Sequence, residues 1–301
     1  MKVNLLVLTA LIIFSGIVFS QNVNAAYNNE KWEYLWYINS YDNIDDLIDK
    51  IDELGKESWE LVDVTEDEDA FYTLFFKRLL AGDDYQWEYL AYVCPYDEIK
   101  ELVNEIDKLG NNRWELVAVT EDSDAFYTLF FKRKLNADNY RWRYMVYINS
   151  LDEINKLTEE INKLGNERWE LVAATEDADF YYTLFFKRKV NADNSRWEYK
   201  AYINSYEDIK ELIDDINKLG RDRWELVVAT EDANDFYTLF LKRRLGAANN
   251  RWEYMVYINS HEAIDKLLVD IDKLGEQKWD LVTVTEDEDA YYTLFFMRKL
   301  N

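Results

Sequence analysis

Apolar residues recur at two different periods, and the alternation between the periods divides the chain. Leu151, Ile154, Leu157, Ile161 and Leu164 are spaced by three and four, which predicts one apolar stripe along a helix. On either side the pattern becomes strand-like. Trp142 to Ile148 is rich in aromatic and β-branched residues and predicts a first strand. Trp169 to Ala174 predicts a second strand and Tyr182 to Arg188 a third. Punctuation agrees with these limits. Ser150 stands where an N-cap is expected, with Glu153 three residues on to complete a capping box. Gly165 stands where a left-handed helix C-cap is expected. Glu176, Asp177, Ala178 and Asp179 predict a polar turn before the third strand.

The same β-α-β-β pattern recurs at a step of 55 residues without a slip. A first tryptophan falls at Trp32, Trp87, Trp142, Trp197 and Trp252, and a second at Trp59, Trp114, Trp169, Trp224 and Trp279. Gly55, Gly110, Gly165, Gly220 and Gly275 keep the same interval. Five units are expected, at 27–81, 82–136, 137–191, 192–246 and 247–301.

The helix is a crossover, so the first two strands of a unit should run in the same direction. The short turn makes the second and third antiparallel. Placing the third strand between the others satisfies both, giving an α+β unit with sheet order 1-3-2 and one helix on one face. That third strand is apolar on both faces, as in Leu184, Phe185 and Phe186, whereas one helix covers one face only. A 55-residue unit is also marginal alone. Neighbouring units are therefore expected to pack, either as an array or as a ring. A ring in which the first strand completes a neighbouring sheet is a further arrangement that the short connectors permit.

Charge and composition narrow the chemistry. Sixty Asp and Glu against 35 Lys and Arg give a net charge of −25, which disfavours nucleic acid and anionic lipid as partners and favours a protein with a basic surface. One Cys and one His exclude a cysteine zinc site and make a metal or Ser/His/Asp cluster improbable on composition alone. His261 occupies the position held elsewhere by Tyr41, Tyr96, Leu151 and Tyr206, and Cys94-Pro95 replaces an Asn-Ser pair. Cys94 is expected to be a partly buried thiol. Residues 1–26 combine Lys2, an apolar run from Leu5 to Phe19 and small residues at Ala25-Ala26. This is the layout of a secretory signal. It predicts export to the periplasm, cell surface or medium, with no membrane attachment after cleavage.

Trp87-Glu88-Tyr89, Leu109-Gly110, Trp114-Glu115-Leu116-Val117 and Phe130-Phe131-Lys132-Arg133 have equivalents in every unit. In these motifs the repeat resembles the small bacterial family catalogued as domain of unknown function 4177, whose members typically carry one copy. The resemblance implies a small α+β domain and no activity.

Three recurrent features are candidate sites. The tryptophans read as core, since each opens a strand at fixed phase. Tyr37, Tyr92, Tyr147, Tyr202 and Tyr257 have the opposite strand parity to the first tryptophans and are expected to pack between units; exposed, they would form a glycan- or protein-binding patch. The acidic turns offer Asp67, Asp69, Asp122, Asp124, Asp177, Asp179, Asp287 and Asp289 as weak Ca²⁺ ligands, against a default of solvated hairpin turns. No catalytic motif is present, and no cofactor is expected. The function expected is an exported, non-enzymatic array that multiplies a weak protein affinity. Glycan or cell-wall binding, or a weak Ca²⁺-binding scaffold, is the alternative.

Overall fold

The computed structural model describes residues 30–300, apart from short stretches at 41–43, 68–70, 82–84, 96–97, 123–124, 138, 151–153, 178–180, 192–194, 206–208, 233–235, 261–263 and 288–290. Residues 1–26, His261 and the acids Asp69, Asp124, Asp179 and Asp289 lie outside the described residues.

Each unit contributes three strands and one helix. The first unit has β1 (Trp32–Ser40), α1 (Ile44–Lys56), β2 (Glu60–Glu66) and β3 (Phe71–Leu79). The second has β4 (Trp87–Pro95), α2 (Ile99–Asn111), β5 (Glu115–Glu121) and β6 (Phe126–Lys134). The third has β7 (Trp142–Ser150), α3 (Ile154–Asn166), β8 (Glu170–Glu176) and β9 (Tyr181–Lys189). The fourth has β10 (Trp197–Ser205), α4 (Ile209–Arg221), β11 (Glu225–Glu231) and β12 (Phe236–Arg244). The fifth has β13 (Arg251–Ser260), α5 (Ile264–Glu276), β14 (Asp280–Glu286) and β15 (Tyr291–Leu300). Every sheet is three-stranded and antiparallel, in the order 1-3-2. Each third strand pairs with its own unit's first strand, as in Trp142↔Lys189, so no strand is exchanged between units.

Units pack in a closed ring. Each helix lies against the first strand of the following unit: α1 on β4, α2 on β7, α3 on β10, α4 on β13, and α5 back on β1. The five core clusters all straddle such seams. One joins Leu47, Ile51 and Leu74 of the first unit to Tyr89 and Phe130 of the second. The closing cluster joins Leu267, Ile271 and Leu294 of the fifth unit to Tyr34 and Phe75 of the first. Both faces of each third strand are thereby covered, which explains the continuous burial from Tyr72 to Phe76 and its equivalents. The second strands, β2, β5, β8, β11 and β14, stand side by side on the inside. They enclose a narrow lumen of about 70 Å³ with a ring of valines, Val62, Val117, Val172, Val227 and Val282.

The recurrent glycines are not C-caps. Gly55 and its four equivalents lie inside the helices, and the left-handed residue comes three positions later, at Ser58, Arg113, Arg168, Arg223 and Lys278. What requires glycine is the seam. A Cβ at any of the five would collide with the carbonyl oxygen of the next unit's first tryptophan and reach within 2.7–2.9 Å of its tyrosine ring. The helix backbone therefore lies directly on the neighbouring strand. In the N-terminal capping box, Ser150 ends β7 and Glu153 lies outside the described residues.

Candidate functional site

The seams are built from polar groups that repeat around the ring. Tyr89 donates its hydroxyl to the Trp59 carbonyl at 2.7 Å and accepts the Leu61 N–H at 2.9 Å. Its own N–H goes to Asp52 Oδ1 at 2.6 Å. Tyr34 repeats all three bonds across the closing seam, with Trp279, Leu281 and Asp272 at 2.8, 3.0 and 2.8 Å. Deeper in, the Tyr72 hydroxyl pairs with that of Thr128 at 2.8 Å, and the series runs on through Tyr127–Thr183, Tyr182–Thr238 and Tyr237–Thr293 to Tyr292–Thr73 at 2.9 Å. A buried hydroxyl must find such a partner to offset its lost hydration.

One end of the ring gathers carboxylates. Each second strand ends in a glutamate that accepts a hydrogen bond from the threonine hydroxyl of the next unit: Thr120 to Glu66, Thr175 to Glu121, Thr230 to Glu176, Thr285 to Glu231, and Thr65 to Glu286, at 2.5–2.7 Å. Burial pushes Glu66, Glu176 and Glu286 up to about 7, aided by aspartates of their own and the next hairpin. Glu121 is raised for the same reasons. The aspartate that follows each glutamate organises the hairpin. Asp67, Asp122, Asp177, Asp232 and Asp287 each accept, through Oδ1, the N–H four residues on, at 2.8–2.9 Å. The four of these aspartates read as Ca²⁺ candidates, Asp67, Asp122, Asp177 and Asp287, are thus engaged by their own turns. No group of three acids, His or Cys placed to hold a metal occurs among the described residues.

The residues donating those N–H groups were not singled out by the sequence reading. Phe71, Phe126, Tyr181, Phe236 and Tyr291 open the third strands and are 37–45% exposed. They place an exposed aromatic residue at the hairpin end of every unit. Their signal was an aromatic one residue before the buried tyrosine, at a strand end that the other four buried positions do not share.

Tyr37, Tyr92, Tyr147, Tyr202 and Tyr257 point away from the first tryptophans, and the cluster each joins on that side includes residues of the following unit, such as Tyr89 and Phe130 for Tyr37. These tyrosines are half-buried against the core on their own helix side. The hydroxyls of Tyr202 and Tyr257 donate to Asp215 and Asp270 of their own helices, at 2.6 and 2.8 Å. The second-series tryptophans are buried, as are Trp87 and Trp142, while Trp32, Trp197 and Trp252 are half-buried. Cys94 is fully buried, its thiol near the Pro95 and Glu98 carbonyls.

The opposite end holds cations. Arg78, Arg133, Arg188, Arg243 and Arg298 stack on the second tryptophans at 4.3–4.4 Å. Lys77, Lys132, Lys187 and Lys242 bridge the seams to Asp280, Glu60, Glu115 and Glu170 at 2.6–2.8 Å. Desolvation acts to raise these three glutamates, but the lysine charges outweigh it and hold them below the usual carboxylate range.

No helix among the described residues is long and apolar enough to cross a membrane. The chain matches no known family model and no curated protein sequence.

Proposed function

We propose that the chain is an exported, non-enzymatic ring that binds a protein with a basic surface through its hairpin end. The observation that supports this reading is the fivefold recurrence at the hairpin end of an exposed aromatic residue, Phe71 and its equivalents, whose backbone N–H is held by the aspartate that follows the strand-ending glutamate. A carboxylate beside an aromatic face suits a Lys or Arg side chain, through charge and through cation–π attraction. Closure fixes the five copies relative to one another, so a partner with several basic side chains gains from simultaneous contacts. The signal-like segment at 1–26 supports export. The resemblance of each unit to the domain of unknown function 4177 belongs to the same proposal, as a reading of the repeat alone.

A glycan-binding reading draws on the same five exposed aromatics in place of the Tyr37 series, and a weak Ca²⁺-binding scaffold draws on the carboxylates beside them. One experiment separates the three. Immobilised protein is challenged with Lys- and Arg-rich peptides, with polysaccharide, and with Ca²⁺. Peptide capture that falls on raising salt from 0.05 to about 0.5 M, and is lost with serine at the five aromatic positions, supports the proposal. Salt-resistant retention of polysaccharide with no peptide capture overturns it in favour of a glycan. Chelator-sensitive melting without peptide capture favours the scaffold.

A further inference from the structure

At the end opposite the hairpins, the fifth unit departs from the repeat twice. Lys77, Lys132, Lys187 and Lys242 are matched there by Met297. Glu60, Glu115, Glu170 and Glu225 are matched by Asp280. The four lysines define what the position normally holds. Each ammonium meets the acid of the preceding unit and lies over a first-series tryptophan. The ring-centre distances are 4.6 Å for Lys77 on Trp32, 5.1 Å for Lys132 on Trp87, 5.0 Å for Lys187 on Trp142 and 5.1 Å for Lys242 on Trp197.

In the fifth unit that ammonium is missing and its surroundings remain. Met297, in the lysine's place, brings no ammonium to Trp252, whose cross-strand partner is Lys299. Glu225, the acid that a lysine at 297 would meet across the seam, has one described ion pair, to Lys242 at 3.8 Å; Lys242 is held more closely, at 2.8 Å, by Glu170. Met297 and Asp280 sit opposite each other in the β14–β15 pair. One has lost an ammonium and the other a methylene relative to the repeat. A cleft of about 570 Å³ opens beside them, lined among others by Trp32, Trp252, Asp280 and Met297 and by the cations Lys278, Arg298 and Lys299; Asp280 is at the same time bridged by Lys77 at 2.6 Å across the closing seam. Arg298 is already engaged, bonded to Glu253 at 2.6 Å and stacked on Trp279 at 4.3 Å.

The geometry points to a binding site for an alkylammonium group in this cleft, seated against Trp252 beside Asp280 as the lysine ammoniums of the other four units are seated in theirs. Among the described residues the cations over the first tryptophans are all ammonium groups, whereas the second tryptophans take guanidinium groups and, at Trp224, the Lys200 ammonium as well. The site is therefore assigned to a lysine-type cation. This deepens the proposed reading of a cationic partner and rests on it only for the source of the ammonium, which is either a lysine side chain of a protein or a free amine.

The test titrates the protein with n-butylammonium, with N-acetyl-lysine methylamide and with neutral n-butanol, following tryptophan fluorescence and the Trp252 indole N–H resonance. Met297→Lys restores the side chain that four sister units carry, and so folds while filling its own site. Met297→Leu leaves the site open. Saturable binding of both ammonium probes is expected in the parent and in M297L, with weakening of about tenfold or more in M297K and no response to butanol. Absence of saturable ammonium binding, or equal binding by M297K, overturns the inference. A single-lysine peptide binding more tightly than N-acetyl-lysine methylamide assigns the ammonium to a protein, and equal affinity assigns it to a free amine. Serine at the five hairpin-end aromatics leaves this titration unchanged. Peptide capture that persists in that serine variant, with the titration intact, overturns the hairpin-end reading alone.

Discussion

Four seams of the ring join units that the chain also links through a short connector, whereas the seam between the fifth and first units is held by contact alone. Their geometry is nevertheless the same. Gly275 lies on Trp32 as Gly55 lies on Trp87, and Asp272 holds the Tyr34 N–H as Asp52 holds that of Tyr89. The instructions for docking therefore reside in the surfaces of the unit and not in the tether. What differs at the closing seam is a polar pair next to the lumen. Ala118, Ala173 and Val228 occupy one position of the inner strand in the middle units, where the first unit has Asp63 and the fifth has Thr283. Asp63 accepts the Val284 N–H across the seam at 2.9 Å and the Val64 N–H at 3.0 Å. Burial raises its pKa to about 6.

The comparison can be broken most strongly inside a unit. Trp169→Ala should destabilise the protein by roughly 3–5 kcal/mol, read from denaturant melts; a loss under 1 kcal/mol removes the tryptophans from the core. Seams come next. Gly165→Ala and Gly275→Ala introduce the same clash, at a cost of roughly 1–3 kcal/mol. Only the second can be relieved by opening the ring. G275A should therefore expand the particle in small-angle scattering and speed amide exchange at Tyr34 and Leu281, while G165A lowers Tm without expansion. Equal behaviour would mean that closure adds nothing to the tethered contacts. Removing one hydroxyl of the buried Tyr–Thr series is a smaller change. Thr128→Val and Thr73→Val should each cost about 1–2 kcal/mol, and a smaller loss for T73V would mark the closing seam as the looser one.

The smallest effect is pH dependence. Glu66, Glu176, Glu286 and Asp63 all have pKa values raised in the folded state. Between their unfolded and folded values the native ring binds more protons than the unfolded chain, so stability falls as pH rises from about 4.5 to 7. Tm should be higher at pH 5 than at pH 7.5. Asp63→Ala should remove the part of that slope lying between about 4 and 6, whereas Glu66→Gln should remove a part that extends from about 4.5 to 7. A Tm that rises across this interval contradicts the burial of these groups.

Much of this was legible in the sequence because it is local. The 55-residue step, the helix stripe ending in Leu164 and the doubly apolar third strand required the 1-3-2 sheet and a covering neighbour. Parity also separated Tyr37 from Trp32, and each side has its own neighbour: Trp32 packs on the cluster of the fifth unit and Tyr37 on the cluster shared with the second. Gly165 was read as a cap because a helix end and a close approach both favour glycine. The backbone that makes the approach belongs to Trp197, 32 residues on. Closure was equally hidden, since it depends on the turn between successive sheets accumulated over five units. The exposed aromatics at Phe71 and its equivalents were masked by the buried residues of the same strand.

Closure also acts as a counting device. Tandem copies this similar invite unequal recombination, and in an open array the gain or loss of one copy changes only the length. In the ring, Gly275 and the α5 stripe must meet Trp32 and Tyr34 after a set number of turns. A chain of four or six units would leave a helix face at one end and an aromatic sheet face at the other, both wet. Closure thus sets the copy number by geometry, while the sequence of a copy can vary, as it does at Met297 and Asp280.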